Sequence, residues 1–244
     1  MNENVTCDEI LYGKIKLLQP KNGPRVNLDT ILLSSWVKIR SGHSRFLEAG
    51  CASGAISLIL ALKFPRNFHI TGLEIQTELI ELANENAKIN SLTERVNFLA
   101  GDLRDKNIFP RESFDGLVIN PPYEAISSGR MSINPSRSTA RLEVSCNIDD
   151  VGELASRVLK SKGRLFAVFN SERLDVFMSV MLKNKIIPKR LRLVYPNINS
   201  SSGIFLIECI KNGGEGVNIL PPLIVRDETG NYTQELLKAY ELDE

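Results

Sequence analysis

The alternation of short apolar runs and helical patterns between residues 45 and 119 constrains this chain more than any other feature. Four apolar runs of strand length occur there, and helical patterns separate the first three of them. The runs are 45–49, 69–74, 96–100 and 114–119, and the helical patterns are 55–63 and 77–90. Strands joined by helices of this length form right-handed β-α-β units with parallel strands. The sequence therefore predicts an α/β fold with a doubly wound, mostly parallel sheet.

The second half of the chain continues this alternation and then changes its connection. The pattern predicts helices over 149–160 and 171–183 and strands over 164–169, 190–194 and 204–210. The linker between the last two strands is too short for a crossover helix, so an antiparallel strand is expected at the C-terminal edge. Residues 124–146 have no periodicity, and a loop longer than about 15 residues inside a compact domain is usually functional.

One domain accounts for all 244 residues. We expect an N-terminal extension over 1–44 that packs over the ligand site, a core over 45–210, and a tail over 211–244 that is a surface extension. A helix should begin near Ile31, and either Asn27 or Asp29 is suited to cap it, because Asn and Asp are preferred at that position.

The turn from Glu48 to Gly54 follows the first strand and opens a helix. Glycines at its borders let a ligand approach the backbone, and a helix start presents unpaired amide groups. The G-x-x-x-G spacing is neither the dinucleotide fingerprint G-x-G-x-x-G nor a phosphate loop, and Glu48 would repel a pyrophosphate. The turn indicates a positively charged ligand, such as an ammonium with a nearby sulfonium. The alternative is a tight turn with no ligand.

Acidic residues end or follow the next two strands. Glu74 closes the second strand, where α/β folds place an acid on ribose hydroxyls, and Asp102 follows the third, where it could accept from an adenine amino group. Either acid could instead cap a helix. With the turn and Asn120 they fall at the carboxyl ends of four consecutive strands, which is where open α/β sheets bind ligands.

The segment Val118-Ile119-Asn120-Pro121-Pro122-Tyr123 ends the fourth strand in a rigid turn. Each proline lacks a backbone donor, fixes its own φ and restricts the residue before it, so the Asn120 side chain points in a fixed direction. An amide oxygen, a backbone carbonyl and the Tyr123 ring suit a flat substrate that carries an amino or amide N–H group. The alternative is an ordinary turn, since Asn-Pro pairs often form turns.

The composition excludes several classes of protein. Hydrophobic residues make up 43% of the chain, charged residues 24%, and the net charge is +1, so affinity for a polyanion must come from local patches. Four cysteines without a C-x-x-C pair and only two histidines indicate a reducing compartment and no metal site. No apolar run reaches the ~20 residues that span a bilayer, and the start has no signal-peptide pattern. We expect a cytoplasmic protein that needs neither a metal nor a membrane.

The site residues resemble those of class I S-adenosylmethionine-dependent methyltransferases, over about residues 19–210. The Asn-Pro-Pro-Tyr motif is similar to that of members that methylate amino nitrogens. Three runs resemble, more narrowly, the tRNA adenine-N6 methyltransferases that modify position 37 of a valine tRNA: Gln19–Leu33, Thr139–Glu143 and Leu223–Thr233. The chain departs from the family's first motif at Ala52, where a glycine is usual.

The resemblance implies a Rossmann-like methyltransferase sheet, S-adenosylmethionine as cofactor, and the anticodon-loop region of a tRNA as partner. The implied cofactor contacts are Arg25, Asp29, Glu48, Gly50, Cys51, Ala52, Gly54, Glu74, Ile75, Asp102, Leu103 and Asn120, those at Cys51 and Ala52 being made by the backbone. The implied catalytic residues are Asn120, Pro121, Pro122 and Tyr123. Substrate contacts are expected at Tyr123, Arg130, Arg137 and Arg141.

The residues suggest how such a site would work. If the Asn120 side-chain oxygen and the Pro121 carbonyl bind both N–H groups of an adenine amino nitrogen, the lone pair of that nitrogen is turned towards the methyl group. Tyr123 would stack on a base that is exposed or flipped out.

Positive charge is unevenly placed along the chain. Ten lysines and arginines lie between Arg157 and Arg192, and others lead the chain at Lys14, Lys16, Lys21 and Arg25. They predict a polyanion-binding patch, and the alternative is a solvated basic face.

Other activities stay open from the residues alone. The same motif serves methylation of a glutamine amide in a protein such as a release factor, but those enzymes usually carry an extra helical N-terminal domain, and only 44 residues precede the first core strand here. A guanine-N2 RNA methyltransferase is a further alternative. An RNA-binding module without catalysis is disfavoured by the intact Asn-Pro-Pro-Tyr motif.

Overall fold

The computed structural model of the protein describes residues 4–121 and 147–241. Its strands are β1 (Val5–Ile10), β2 (Ile15–Pro20), β3 (Arg45–Ala49), β4 (His69–Glu74), β5 (Val96–Ala100), β6 (Phe114–Ile119), β7 (Leu159–Asn170), β8 (Ile186–Asn197), β9 (Ile204–Lys211), β10 (Asn218–Ile219) and β11 (Leu223–Arg226). Its helices are α1 (Leu28–Trp36), α2 (Ala55–Lys63), α3 (Thr77–Ile89), α4 (Ile148–Val158), α5 (Leu174–Lys183) and α6 (Gln234–Lys238).

Within the described residues the main sheet has nine strands, in the order β10-β8-β9-β7-β6-β3-β4-β5, and β11 also pairs with β8. The strands from β3 to β7 pair in parallel, whereas β9 pairs antiparallel with both of its neighbours. The predicted doubly wound, mostly parallel sheet with an antiparallel C-terminal strand is confirmed. The first two strands form a separate hairpin.

β6 is the central strand, and all six of its residues are buried. Val118 faces a hydrophobic cluster that includes residues of α1, α2 and α3, whereas Leu117 and Ile119 face a second cluster with residues of α4 and α5. Only glycine fits at position 116, because the Phe46 ring packs against the backbone there and a Cβ would lie 2.2 Å from the ring. This two-sided burial explains why β6 reads as a continuous apolar run.

The strand order reverses next to β3. The chain passes from β3 to β4 and β5 on one side and returns to place β6 on the other. In this register Ala49 pairs with Ile119 and also with Leu73. The residues that follow these strands therefore lie side by side at the carboxyl edge, at the position where doubly wound sheets bind ligands.

The second half departs from the predicted boundaries. Helix α4 ends at Val158 and β7 begins at Leu159, so the last two residues of the predicted helix belong to a strand. Residues Ser171–Arg173 form a short 3-10 turn before α5 rather than the start of the helix.

The tail is more than a surface extension. It adds β10 and β11 to β8, and Leu236 of α6 is fully buried in the first hydrophobic cluster. Short strands of two and four residues carry too little periodicity to be read from sequence.

At the other end, Asn27 caps α1, because its side chain accepts from the Thr30 backbone amide at 3.1 Å. Asp29 lies in the first turn of the same helix. No helix in the described ranges is long and apolar enough to cross a membrane.

Candidate functional site

The turn between β3 and α2 has a backbone that only a few residue types adopt easily. Gly50, Ala52 and Gly54 have φ values of 71°, 47° and 85°. The amides of Gly50 and Cys51 both donate to the carbonyl of Leu73, at 2.8 and 3.0 Å, which fixes the turn to the end of β4. The left-handed conformation is costly for a residue with a Cβ, so Ala52 carries local strain at the position where the family usually has glycine.

The glycine at the end of this turn is also required by its neighbours. A Cβ at Gly54 would lie 2.5 Å from the Phe98 ring and 3.2 Å from the Cβ of Ala83. By contrast, a Cβ at Gly50 would meet no atom within 4 Å. Gly54 thus lets α3 and β5 pack directly under the turn, whereas Gly50 leaves open space above it.

Glu48 lies under the turn with only 2% of its surface exposed. Its Oε2 accepts from the backbone amide of Ser57 at 2.9 Å and from the Ser57 hydroxyl at 2.5 Å, and the described residues donate no hydrogen bond to Oε1. Burial raises the pKa of Glu48 to about 8 against these hydrogen bonds, and repulsion from Glu74 adds to the rise. A cationic ligand would favour the ionised form of this buried acid, whereas an anion would favour its neutral form.

The backbone amides of the turn orient the second acid. Glu74 Oε2 accepts from Ala52 at 3.1 Å, and Oε1 accepts from the amides of Ile75 and Gln76 at 2.9 and 3.0 Å. Since a carboxylate has about four acceptor positions, one remains for a ligand hydroxyl. Ile75, the next residue, is 38% exposed, and this apolar side chain beside the acid offers a surface for a flat ring.

The third acid has a partner that the sequence did not suggest. Asp102 forms an ion pair with Arg104, whose Nη2 lies 2.6 Å from Oδ2, and Arg104 also donates its backbone amide to Oδ1 at 2.8 Å. These hydrogen bonds hold the pKa of the Asp102 carboxyl below its ordinary value. Leu103 packs against the second hydrophobic cluster. An adenine amino group would have to share the Asp102 carboxylate with Arg104.

Arg25 makes its contacts within the N-terminal segment of the described chain. Its guanidinium lies 2.8 Å from Asp8 Oδ2 and donates to the Thr6 hydroxyl and the Pro20 carbonyl, each at 2.9 Å. The structure does not bring Arg25 into contact with Glu48 or Glu74. Its position fixes the turn that leads from β2 into α1, and its predicted cofactor contact stays a prediction.

Asn120 follows Ile119 at the carboxyl edge and is half-buried, and Pro121 is buried. Because Ile119 pairs with Ala49, Asn120 lies beside the start of the glycine-bordered turn. The remaining predicted residues of this motif and its loop lie outside the described residues: Pro122, Tyr123, Arg130, Arg137 and Arg141.

Most of the ten basic residues between Arg157 and Arg192 serve the fold. Lys160 pairs with Asp115 at 2.7 Å, Arg192 pairs with Glu235 at 2.5 Å, and Arg164 pairs with the buried Glu208. Backbone carbonyls accept from others of the ten, namely Arg157, Lys162 and Lys189. Leu159, next to Lys160, pairs with Phe114, the first residue of β6. This part of the basic run therefore lies at the amino ends of the parallel strands, whereas Asn120 lies at their carboxyl ends. The run is therefore a weaker indication of a polyanion site than its charge suggested.

Sequence reasoning missed two polar residues that support the turn. Ser57 lies three positions after Gly54, on the first turn of α2, and its two donors reach Glu48. Asn86 is fully buried on α3 and donates to the Ser53 carbonyl at 2.9 Å. Ser57 could have been noticed as a hydroxyl near a buried acid, but nothing local in the sequence pairs residue 86 with residue 53.

The chain is similar in sequence to known methyltransferases. Residues 40–210 match a family model described as "Methyltransferase domain". A tRNA1(Val) (adenine(37)-N6)-methyltransferase from Mannheimia succiniciproducens is 26% identical over 206 residues, which are 80% of this chain and 84% of that protein.

Solved structures share the fold. A protein from Agrobacterium tumefaciens described as a predicted O-methyltransferase superposes with a TM-score of 0.71 at 19% identity, over 88% of this chain and 96% of that one. A geranyl diphosphate methyltransferase in complex with SAM has a TM-score of 0.56 at 13% identity, over 75% of this chain and 84% of that one.

Proposed function

Since this chain belongs to the methyltransferase domain family, we propose that it transfers a methyl group from its cofactor, S-adenosylmethionine, to the N6 nitrogen of an adenine in tRNA, at position 37 of a valine tRNA. The anticodon-loop region would be its partner. The observation that carries the proposal is the pairing of Ala49 with Ile119, because it sets the glycine-bordered turn beside Asn120. The tRNA relative, which covers most of the chain, supports the choice of substrate.

The residues of the turn fit this cofactor. When bound, S-adenosylmethionine supplies a methyl group on a positively charged sulfur. The buried Glu48 favours a cation, Glu74 keeps an acceptor position for a ribose hydroxyl, and Ile75 offers an apolar surface for the adenine ring. A dinucleotide fits less well, because its pyrophosphate would disfavour the ionised form of Glu48.

Asn120 and Pro121 would act on the acceptor. The amino nitrogen of adenine is a poor nucleophile because its lone pair is delocalised into the ring. If the Asn120 Oδ1 and the Pro121 carbonyl accept its two N–H groups, the lone pair is directed away from the ring plane and towards the methyl carbon. The nitrogen–carbon bond would form as the carbon–sulfur bond of the methyl donor breaks, with the electron pair of that bond left on sulfur, and the nitrogen would then lose a proton to water.

The experiment is a single-turnover assay with labelled methyl groups, unmodified valine tRNA transcript and purified protein, followed by mass spectrometry of the nucleosides. We expect N6-methyladenosine at position 37, and transfer about 10²–10³-fold slower for Asn120→Ala, as for the loss of one preorganised hydrogen-bonding group. tRNA affinity should change little, because phosphate contacts supply most of it.

Asn120→Asp is the matched control, since its carboxylate keeps an acceptor and should retain more activity than Asn120→Ala. A wild-type rate in Asn120→Ala would remove the proposed role of this side chain. Methyl transfer to a release-factor glutamine, or to a guanine, with none to adenine, would overturn the substrate.

A further inference from the structure

One edge of β2 forms its backbone hydrogen bonds with asparagine side chains instead of with another strand. β2 pairs with β1 on one side, and its other side faces α3. Asn86 on α3 and Asn90, the residue that directly follows α3, bind alternate residues of β2. Their amide groups present a donor and an acceptor, as a strand would, so each replaces one residue of a neighbouring strand.

The two asparagines bind the strand in the same way. Asn86 Oδ1 accepts from the Leu18 amide at 2.7 Å, and Asn86 Nδ2 donates to the Leu18 carbonyl at 3.0 Å. Asn90 Oδ1 accepts from the Lys16 amide at 3.0 Å, and Asn90 Nδ2 donates to the Lys16 carbonyl at 2.7 Å. With respect to the hairpin, the two side chains are equivalent.

They differ in their remaining hydrogen bond. The second N–H of Asn86 donates to the Ser53 carbonyl at 2.9 Å, whereas the second N–H of Asn90 donates to the Asn86 carbonyl in the last turn of α3, at 2.8 Å. Ser53 lies between Ala52 and Gly54, both of which have left-handed backbones. Asn86 therefore joins the hairpin to the turn, and Asn90 does not.

The hydrogen bond between Asn86 and Ser53 is buried and therefore restrains the turn. Asn86 has no exposed surface, Ser53 is 3% exposed, and the contact is made inside the protein, where a lost partner leaves a buried polar group unpaired. Ala52 is strained, and its amide holds Glu74 through Oε2. A carbonyl fixed at Ser53 therefore restrains the peptide units that position the Glu74 carboxylate.

We propose that Asn86 is a positioning residue for S-adenosylmethionine, which holds the turn 50–54 in its binding conformation and couples the order of the N-terminal hairpin to cofactor affinity. The inference rests on the proposed cofactor role of that turn. It adds a residue on α3, outside the motifs at the strand ends, and it gives the hairpin a function at the site. Cofactor binding to the turn and docking of β2 then favour each other, because the Asn86 side chain holds both the turn and β2.

The test compares Asn86→Ala with Asn90→Ala. Both variants remove one pair of hydrogen bonds to β2, but only Asn86→Ala frees the Ser53 carbonyl. We expect the dissociation constant for S-adenosylmethionine to rise about tenfold in Asn86→Ala and to stay within about twofold in Asn90→Ala, since one buried hydrogen bond and its unpaired acceptor have about this effect. The KM for the cofactor should follow the dissociation constant, with kcat at saturating cofactor nearly unchanged. Equal effects of the two variants, or none in either, would overturn the proposal.

A measurement on the wild-type protein keeps the proposal testable if Asn86→Ala does not fold. Amide hydrogen exchange of the hairpin is followed by NMR with and without S-adenosylmethionine. Cofactor should slow exchange at Leu18, whose amide is bound by Asn86, more than at Lys16, whose amide is bound by Asn90. Equal slowing at both amides, or no slowing, would contradict the link. Wild-type protein that binds no S-adenosylmethionine would instead refute the proposed function, so the two failures are distinguishable.

Discussion

Glu48 gives the most direct electrostatic test of the site, through the variant Glu48→Gln. The wild-type carboxyl has a pKa of about 8 in the folded protein because of burial, whereas the ordinary value is 4.5. At a pH between 4.5 and 8, the Glu48 carboxyl is protonated in the folded state and ionised in the unfolded state. Stability from this group is fully present below pH 4.5 and is lost as pH rises towards 8, by about 1.4 kcal/mol per pH unit.

The magnitude at neutral pH follows from the same numbers. At pH 7 the buried acid has cost the folded state about 3 kcal/mol, since each pKa unit corresponds to about 1.4 kcal/mol. Glutamine has no proton to lose, and its side-chain oxygen can still accept both hydrogen bonds from Ser57. Glu48→Gln should therefore be more stable than wild type above pH 6, and the difference should vanish near pH 4.5.

The assay is urea unfolding of both proteins from pH 5 to pH 9. The difference between their unfolding free energies cancels the contributions of other titrating groups, such as His43, whose pKa is lowered mainly by burial. The neighbouring Cys51 thiol stays neutral over this range, because burial raises its pKa well above the ordinary value. A difference that is independent of pH, or that grows as pH falls, would refute the buried-acid account.

The same acid should couple cofactor binding to protons. A cationic ligand favours the ionised carboxyl, so we expect wild-type affinity for S-adenosylmethionine to rise between pH 6 and pH 8 and binding to release a proton. Calorimetry in buffers of different ionisation enthalpy measures that proton. Glu48→Gln should show neither effect, and its affinity at pH 8 should be lower than that of wild type.

Two further predictions concern the turn and the second acid. Gly54→Ala should lose about 1–3 kcal/mol more stability than Gly50→Ala in chemical unfolding, because both carry a left-handed backbone but only the Cβ at position 54 overlaps the Phe98 ring, and equal losses would contradict the packing argument. Glu74→Ala should weaken S-adenosylmethionine binding by about 1–3 kcal/mol in calorimetry, since it removes a charge-assisted acceptor and frees the Ala52 amide, and an unchanged affinity would take this acid out of the site.

The amino-acid sequence by itself determined the core of the fold and which strand ends meet at the candidate site. Strands β3 to β6 and helices α2 and α3 were readable because each is a regular periodic segment ended by a local signal, such as Gly54 or Pro121. Glu48, Glu74 and Asn120 could be predicted to lie close together because parallel strands bring their carboxyl ends to one edge of a sheet. These inferences use only local pattern and a general rule of topology.

The tertiary structure decided what depends on contacts between distant parts of the chain. The sequence showed only an amphipathic stretch between Ile10 and Leu18, whereas the structure has a hairpin whose outer edge is paired by Asn86 and Asn90, about 70 residues away. The tail forms strands because the edge of β8 is open for pairing. Arg104 and Ser57 donate hydrogen bonds to Asp102 and Glu48, two acids that the sequence predicted to bind a ligand. Local propensity does not encode such partners, because the free energy of these hydrogen bonds is gained only when the folded core removes both groups from water.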